Sequence, residues 1–100
     1  MDFKGVKYQF NAKVWRYDGP NGWYFVSLPK NYSKEIRATL GSMEEGWGRL
    51  KATACIGASE WKTAIWFDTK SDAYLLAIKA QIRSDEKIDI GKMVKVTVWV

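Results

Sequence analysis

The chain has 100 residues, 47% of them hydrophobic, with six Trp, five Tyr and a formal net charge of +5. That is enough apolar material for one core and too much for a disordered segment. There is no histidine and Cys55 is the single cysteine, which removes imidazole bases, the usual catalytic triads, intramolecular disulfides and most transition-metal sites.

Val6 to Arg16 alternates. Val6, Tyr8, Phe10, Ala12 and Val14 face one side, and Lys7, Gln9, Asn11, Lys13 and Trp15 the other, as in a half-buried strand. Asp18 to Gly22 is dense in turn formers and predicts a hairpin loop, with Trp23 to Leu28 as the return strand, stopped by Pro29. Ser33 is placed to cap a short helix ending at Leu40, with Gly41 at the left-handed position after it. A loop over 42–46 leads to a third strand, Trp47 to Ile56, with Leu50, Ala52, Ala54 and Ile56 on one face. Cys55 reads as a small buried hydrophobe in that run. Gly57 to Glu60 is a link. Two apolar runs, Thr63–Phe67 and Ala73–Ala77, flank the turn Asp68 to Asp72 and predict a hairpin. A helical turn over roughly Lys79 to Ser84 follows, then a loop from Asp85 to Gly91 and a last strand carrying Val94, Val96, Val98 and Val100 on one side.

The plan occurs twice. Val14-Trp15 matches Ile65-Trp66, Tyr24-Phe25-Val26 matches Tyr74-Leu75-Leu76, and Leu50 to Thr53 echoes Val94 to Thr97. The expectation is an all-β domain over 1–100 with one or two short helices, built from pseudo-repeats 6–56 and 57–100. Each half is too small to bury its own sheet. Together they would close a small barrel of about six strands, removing exposed edges.

Several spaced positions resemble a known family. They are Phe10-x-Ala12, Trp23 leading to Leu28-Pro29, Trp47-Gly48-x-Leu50, Trp61-Lys62-Thr63, Tyr74 to Lys79, Arg83, and Gly91 before a terminal Val-x-Val strand. The pattern resembles the bacterial and archaeal family DUF1905, a domain of unknown function, over nearly the whole chain. The resemblance implies a fold like the double-split β-barrels, a class that elsewhere includes dimeric DNA-binding regulators and antitoxins. It also implies a domain that in larger proteins often precedes one associated with bacteriocin protection. It implies no activity. The chain departs from the family at Ala77, where proline is usual, in the run Ile65 to Asp68, and at Lys92, where an aspartate is usual.

Two sets of residues are candidates for function. Lys79 and Arg83, four apart on a helical turn, would converge on one anion, with Thr63 and Tyr74 as hydroxyl donors and Trp61 as a flat wall. The plainer reading makes Lys79 and Arg83 a solvated helix face. The second set, Lys13, Trp15, Lys62, Trp66, Lys95 and Trp99, lies opposite the alternating core positions. Aromatics interleaved with cations suit single-stranded nucleic acid or a protein interface. The plainer reading has the short helices covering these tryptophans as a second core. Neither set contains a catalytic constellation, and no glycine-rich phosphate loop is present.

The expected function is therefore a small binding or interaction module and not an enzyme, with no metal or other cofactor. It would take a small anionic or aromatic ligand or a protein partner, with a homodimer as one candidate assembly and nucleic acid as the alternative. No apolar run reaches the ~18 residues of a membrane span. The start, Met1 to Gly5, lacks the pattern of a signal peptide. A soluble cytoplasmic protein is expected.

Overall fold

The computed structural model describes residues 5–17 and 22–100, and of Trp47 the backbone alone. The expected loop at Asp18 to Asn21 lies outside the described residues. Alternation builds the sheet. The described strands are β1 (Lys7–Lys13), β2 (Trp15–Arg16), β3 (Tyr24–Ser27), β4 (Arg49–Ile56), β5 (Ser59–Asp68), β6 (Ala73–Ala77) and β7 (Met93–Trp99). They pair antiparallel in the order β1-β7-β4-β5-β6-β3-β2. Every second side chain turns to the concave face, and there Tyr8, Phe10, Val26, Leu50, Ala54, Ile56, Ile65, Leu76, Val96 and Val98 form one core.

The sheet curls into a half-barrel and does not close. The expected closed barrel of six strands is corrected on both counts: seven strands form, and no ladder joins β1 to β2 among the described residues. The reason lies at Val14. Its N–H donates to Lys92 O at 3.0 Å and its carbonyl accepts from Gly91 N at 2.7 Å. The expected single strand is thereby broken into β1, which pairs with β7, and β2, which pairs with β3. The two ends of the pairing order are thus one residue apart in the chain.

Exchanging the two halves leaves the strand pairs unchanged. β1·β7 becomes β5·β4, β2·β3 becomes β5·β6, and β3·β6 and β4·β7 map onto themselves. The registers agree: Val26 stands opposite Leu76 and Ala54 opposite Val98, while Trp15–Phe25 has its counterpart in Trp66–Leu75.

Both helices lie on the concave side. α1 (Lys30–Leu40) buries Ile36 and sets Tyr32 against the rings of Tyr8 and Phe10, at centroid distances of 5.2 and 6.5 Å. α2 (Ala80–Asp85) buries Ile82. α1 begins three residues before the expected cap, directly after Pro29. Ser33 is therefore inside the helix, fully buried, and its Oγ accepts the Tyr74 N–H at 3.0 Å. Gly41 continues with right-handed angles into a 3-10 turn, Gly41–Met43, so it is not a left-handed terminator. The expected link at Gly57 is a tight hairpin: Ile56 pairs with Ser59, and Gly57 has φ of 60°, a value glycine alone takes without strain. Cys55 points to the convex face, half-exposed and not in the core, because its neighbours Ala54 and Ile56 point inward.

Candidate functional site

β7 runs beside β4 only from Thr53 to Ile56, where its partners are Trp99 to Val96. Beyond that point no β7 residue pairs with Ala52, Lys51 or Leu50 on this side, and at Arg49 the β4 backbone is bridged by Glu45. The edge left by this split opens into a groove of about 790 Å³, within the ~300–1,000 Å³ usual for small-molecule sites. The concave part of the groove is lined by Leu50, Ala52 and Thr63 from the sheet, by Leu40 at the end of α1 and by Met43 of the 3-10 turn that follows. The convex part is lined by Lys51, Thr53, Lys62 and Trp99. The groove therefore passes over the β4 edge from one face of the sheet to the other. Gly5 forms part of the wall, and its backbone lies so close to Val100 that an added Cβ would meet the Val100 oxygen at 2.2 Å.

Small side chains keep this floor open. Ala52 stands opposite Thr63. The counterpart of Ala52 in the other half is Val96, which stands opposite Phe10, both buried, with the Phe10 ring against Tyr32. One half fills the position with a phenyl ring; the other leaves it to alanine and threonine.

The charge at the groove is mostly positive. Arg49 and Glu45 form an ion pair at 3.6 Å, and their backbones bridge at 2.7 and 3.1 Å. Lys51 and Lys62 are exposed on adjacent strands, in diagonal positions, because Lys62 stands opposite Thr53.

The first expected set is dispersed. Thr63 is in the groove. Trp61 is only 8% exposed and Tyr74 not at all, and both belong to the core. Tyr74 donates its hydroxyl to Glu44 Oε2; burial and this bond to a carboxylate push its pKa well above the ordinary tyrosine range. Lys79 precedes α2 and is exposed, so it shares no helical face with Arg83. The Arg83 guanidinium lies 3.8 Å from the Tyr24 ring centre, and its Nε donates to Ile78 O at 3.2 Å.

The second set divides in two. Trp99 shares a cross-strand row with Lys7, Thr53 and Lys62, all on the convex face. Lys13 and Lys95 are exposed farther along β1 and β7. Trp15 and Trp66 lie instead on the β2–β3 and β5–β6 side. Trp15 packs on Phe25 at 5.2 Å and donates Nε1–H to Ser27 Oγ at 3.0 Å, and Trp66 stands beside Leu75 and Arg49. The helices, being concave, cover none of these three.

Sequence reasoning missed Leu40, Met43, Arg49 and Val100 as neighbours of one groove. Alternation signals that Lys51 turns outward. Nothing along a single strand signals which strand lies beside it.

Among the described residues no helix is long and apolar enough to cross a membrane, and no group of His, Cys, Asp or Glu side chains is placed to hold a metal ion. As a class, this is a small all-β domain: a curled antiparallel half-barrel with two short helices on its concave side and a groove at its split edge. The chain belongs to the family described as domain of unknown function DUF1905, whose model matches residues 10–98. No curated protein matches the chain.

Proposed function

We propose that this domain is a non-enzymatic binding module whose site is the groove at the β4 edge. The observation that carries this reading is the groove itself, with Lys51 and Lys62 at its convex mouth and apolar side chains beneath. Such a site suits a small molecule with an apolar body and a negative charge. Of the residues expected from the sequence, Thr63, Lys62 and Trp99 take part; Trp61, Tyr74 and Arg83 serve the core and α2. The symmetric strand pairing supports reading the fold as double-split-barrel-like. The single cysteine supports a reducing compartment such as the cytoplasm.

The test is a saturable change in tryptophan fluorescence and melting temperature with small organic anions. Thr63→Phe, which puts into the floor a ring like the one Phe10 sets opposite Val96, is expected to abolish it. If no anion shifts the melting temperature, or if Thr63→Phe leaves binding intact, the groove is not the site.

A second reading is favoured by one observation, the convex row in which Trp99 lies between Lys7 and, past Thr53, Lys62. That is an indole in one row with cations on both sides, the residue types that single-strand binders combine. It predicts oligonucleotide binding that weakens steeply from about 50 to about 300 mM salt and survives Thr63→Phe. Binding that is absent, or flat with salt, removes it.

A further inference from the structure

We infer that the outer edge of β1 takes one added strand, an extended segment of a partner protein with carboxylates on alternate residues. β1 stands at one end of the pairing order and pairs with β7. Val6 and Val100 exchange two backbone hydrogen bonds of 3.0 Å, which sets the alternation along the whole ladder. Tyr8, Phe10 and Ala12 therefore turn their N–H and C=O groups toward β7, while Lys7, Gln9, Asn11 and Lys13 turn theirs away from it. Among the described residues no backbone hydrogen bond joins those four to another segment. The edge runs the seven residues of β1, an ordinary strand length. Main-chain groups presented in this way are a template for a further strand.

The side chains along the edge select its occupant. Those of Lys7, Gln9, Asn11 and Lys13 are exposed on the convex face, and Lys95 stands opposite Asn11 on that face. No carboxylate occurs among the residues that β1 and β7 show there. Acidic residues at every second position of an added strand would lie beside these lysines, and opposite charges across a ladder stabilise it. The inner side differs. Tyr32 packs there against Tyr8 and Phe10, and the charge of Glu35 reaches Tyr8. The inward residues of the segment are therefore uncharged. A second copy fits poorly: two β1 edges paired antiparallel in full register set Lys7 of each against Lys13 of the other.

Nuclear magnetic resonance of the whole chain tests this. The probes are eight-residue peptides alternating glutamate with valine or lysine with valine, and the glutamate peptide N-methylated on its glutamates or on its valines. The glutamate peptide is expected to shift the Gln9, Asn11 and Lys13 amides and to slow their exchange, which is fast without it. N-methylation of one set should abolish this and of the other leave it, since alternate residues of an added strand face β1. The lysine peptide should not bind. Asn11→Pro removes an outward N–H that the β1·β7 ladder does not use and should weaken binding about tenfold. Lys13→Glu with Lys95→Glu should weaken it about tenfold as well and let the lysine peptide bind.

If the outward amides are protected in the free chain, the edge is already taken and the proposal falls. If both N-methylated forms bind, the contact is electrostatic adsorption and strand addition is overturned; this comparison decides by itself where Asn11→Pro does not fold, as read by circular dichroism. If the free chain dimerises and Asn11→Pro separates it, the occupant is a second copy and the partner assignment is overturned. If a single-stranded oligonucleotide binds over these lysines and no peptide does, the assignment falls to nucleic acid. Thr63→Phe should leave peptide binding unchanged, so failure here and failure of the groove are read separately.

Discussion

Ser33 of α1 accepts the backbone N–H of Tyr74 on β6 at 3.0 Å, with both residues wholly buried. One hydroxyl thus joins the helix to the sheet. Ser33→Ala leaves that N–H without a partner in the core. The expected loss is about 2 kcal/mol, a fall in Tm on the order of 10 °C for a domain of this size. Thermal or urea unfolding measures it, and a loss of a few tenths of a kcal/mol would show that the bond contributes little.

The hydroxyls of Tyr74 and Tyr8 make stability depend on alkaline pH. Burial first, then Glu44, raises Tyr74; burial first, then the charge of Glu35, raises Tyr8. Both pKa values rise from an ordinary 10.0, so the protonated form is favoured by folding. This contribution is fully present below pH 10 and is lost as pH rises above it, where the unfolded chain releases these protons first. Tyr74→Phe should flatten the decline above pH 10, at a cost of about 1 kcal/mol near neutrality from the lost Glu44 bond. Urea unfolding at a series of pH values reads both effects.

Gly57→Ala should destabilise by about 2–3 kcal/mol. The turn holds φ at 60°, and a Cβ there would sit 1.9 Å from Glu86 Oε1. Glu86 is not free to withdraw without cost, since its other oxygen accepts from Ser59 Oγ at 2.6 Å. Combining Gly57→Ala with Glu86→Ala removes the clash and leaves the left-handed penalty of about 1 kcal/mol plus the lost Ser59 bond. A double-mutant cycle with no coupling between the two sites would contradict the contact.

Arg83 separates a structural role from a binding one. Its guanidinium lies flat enough on Tyr24 to be 3.8 Å from the ring centre. Arg83→Lys keeps the charge and loses the planar contact, so stability should fall by about 1 kcal/mol. Ligand affinity in the groove should be unchanged. A large loss of affinity with unchanged stability would return Arg83 to the binding site.

The outcome at Arg83 shows why some of the site was not legible in the sequence. Four-residue spacing places two side chains on one face only where the helix already exists at the first of them. Lys79 precedes α2, whose first residue is Ala80. Trp61 and Tyr74 carry polar atoms that suit a pocket, but their bulk is apolar and they fell on the inward parity of β5 and β6. Ser33 had the right chemistry for a cap. Pro29 moved the helix start upstream and gave the hydroxyl a partner 41 residues away.

Period-two alternation determined which side of each strand is buried, because the pleat leaves no other choice: the inward sets Tyr8–Phe10, Leu50–Ile56 and Val94–Val98 were readable from the chain alone. The doubled order of elements was readable for the same reason, since it is a property of the chain. Strand endings and neighbours were decided only in three dimensions. Where Val14 turns from one strand to another, and which small residues face each other across the groove, depend on contacts between distant segments. Local pattern carries no record of those contacts.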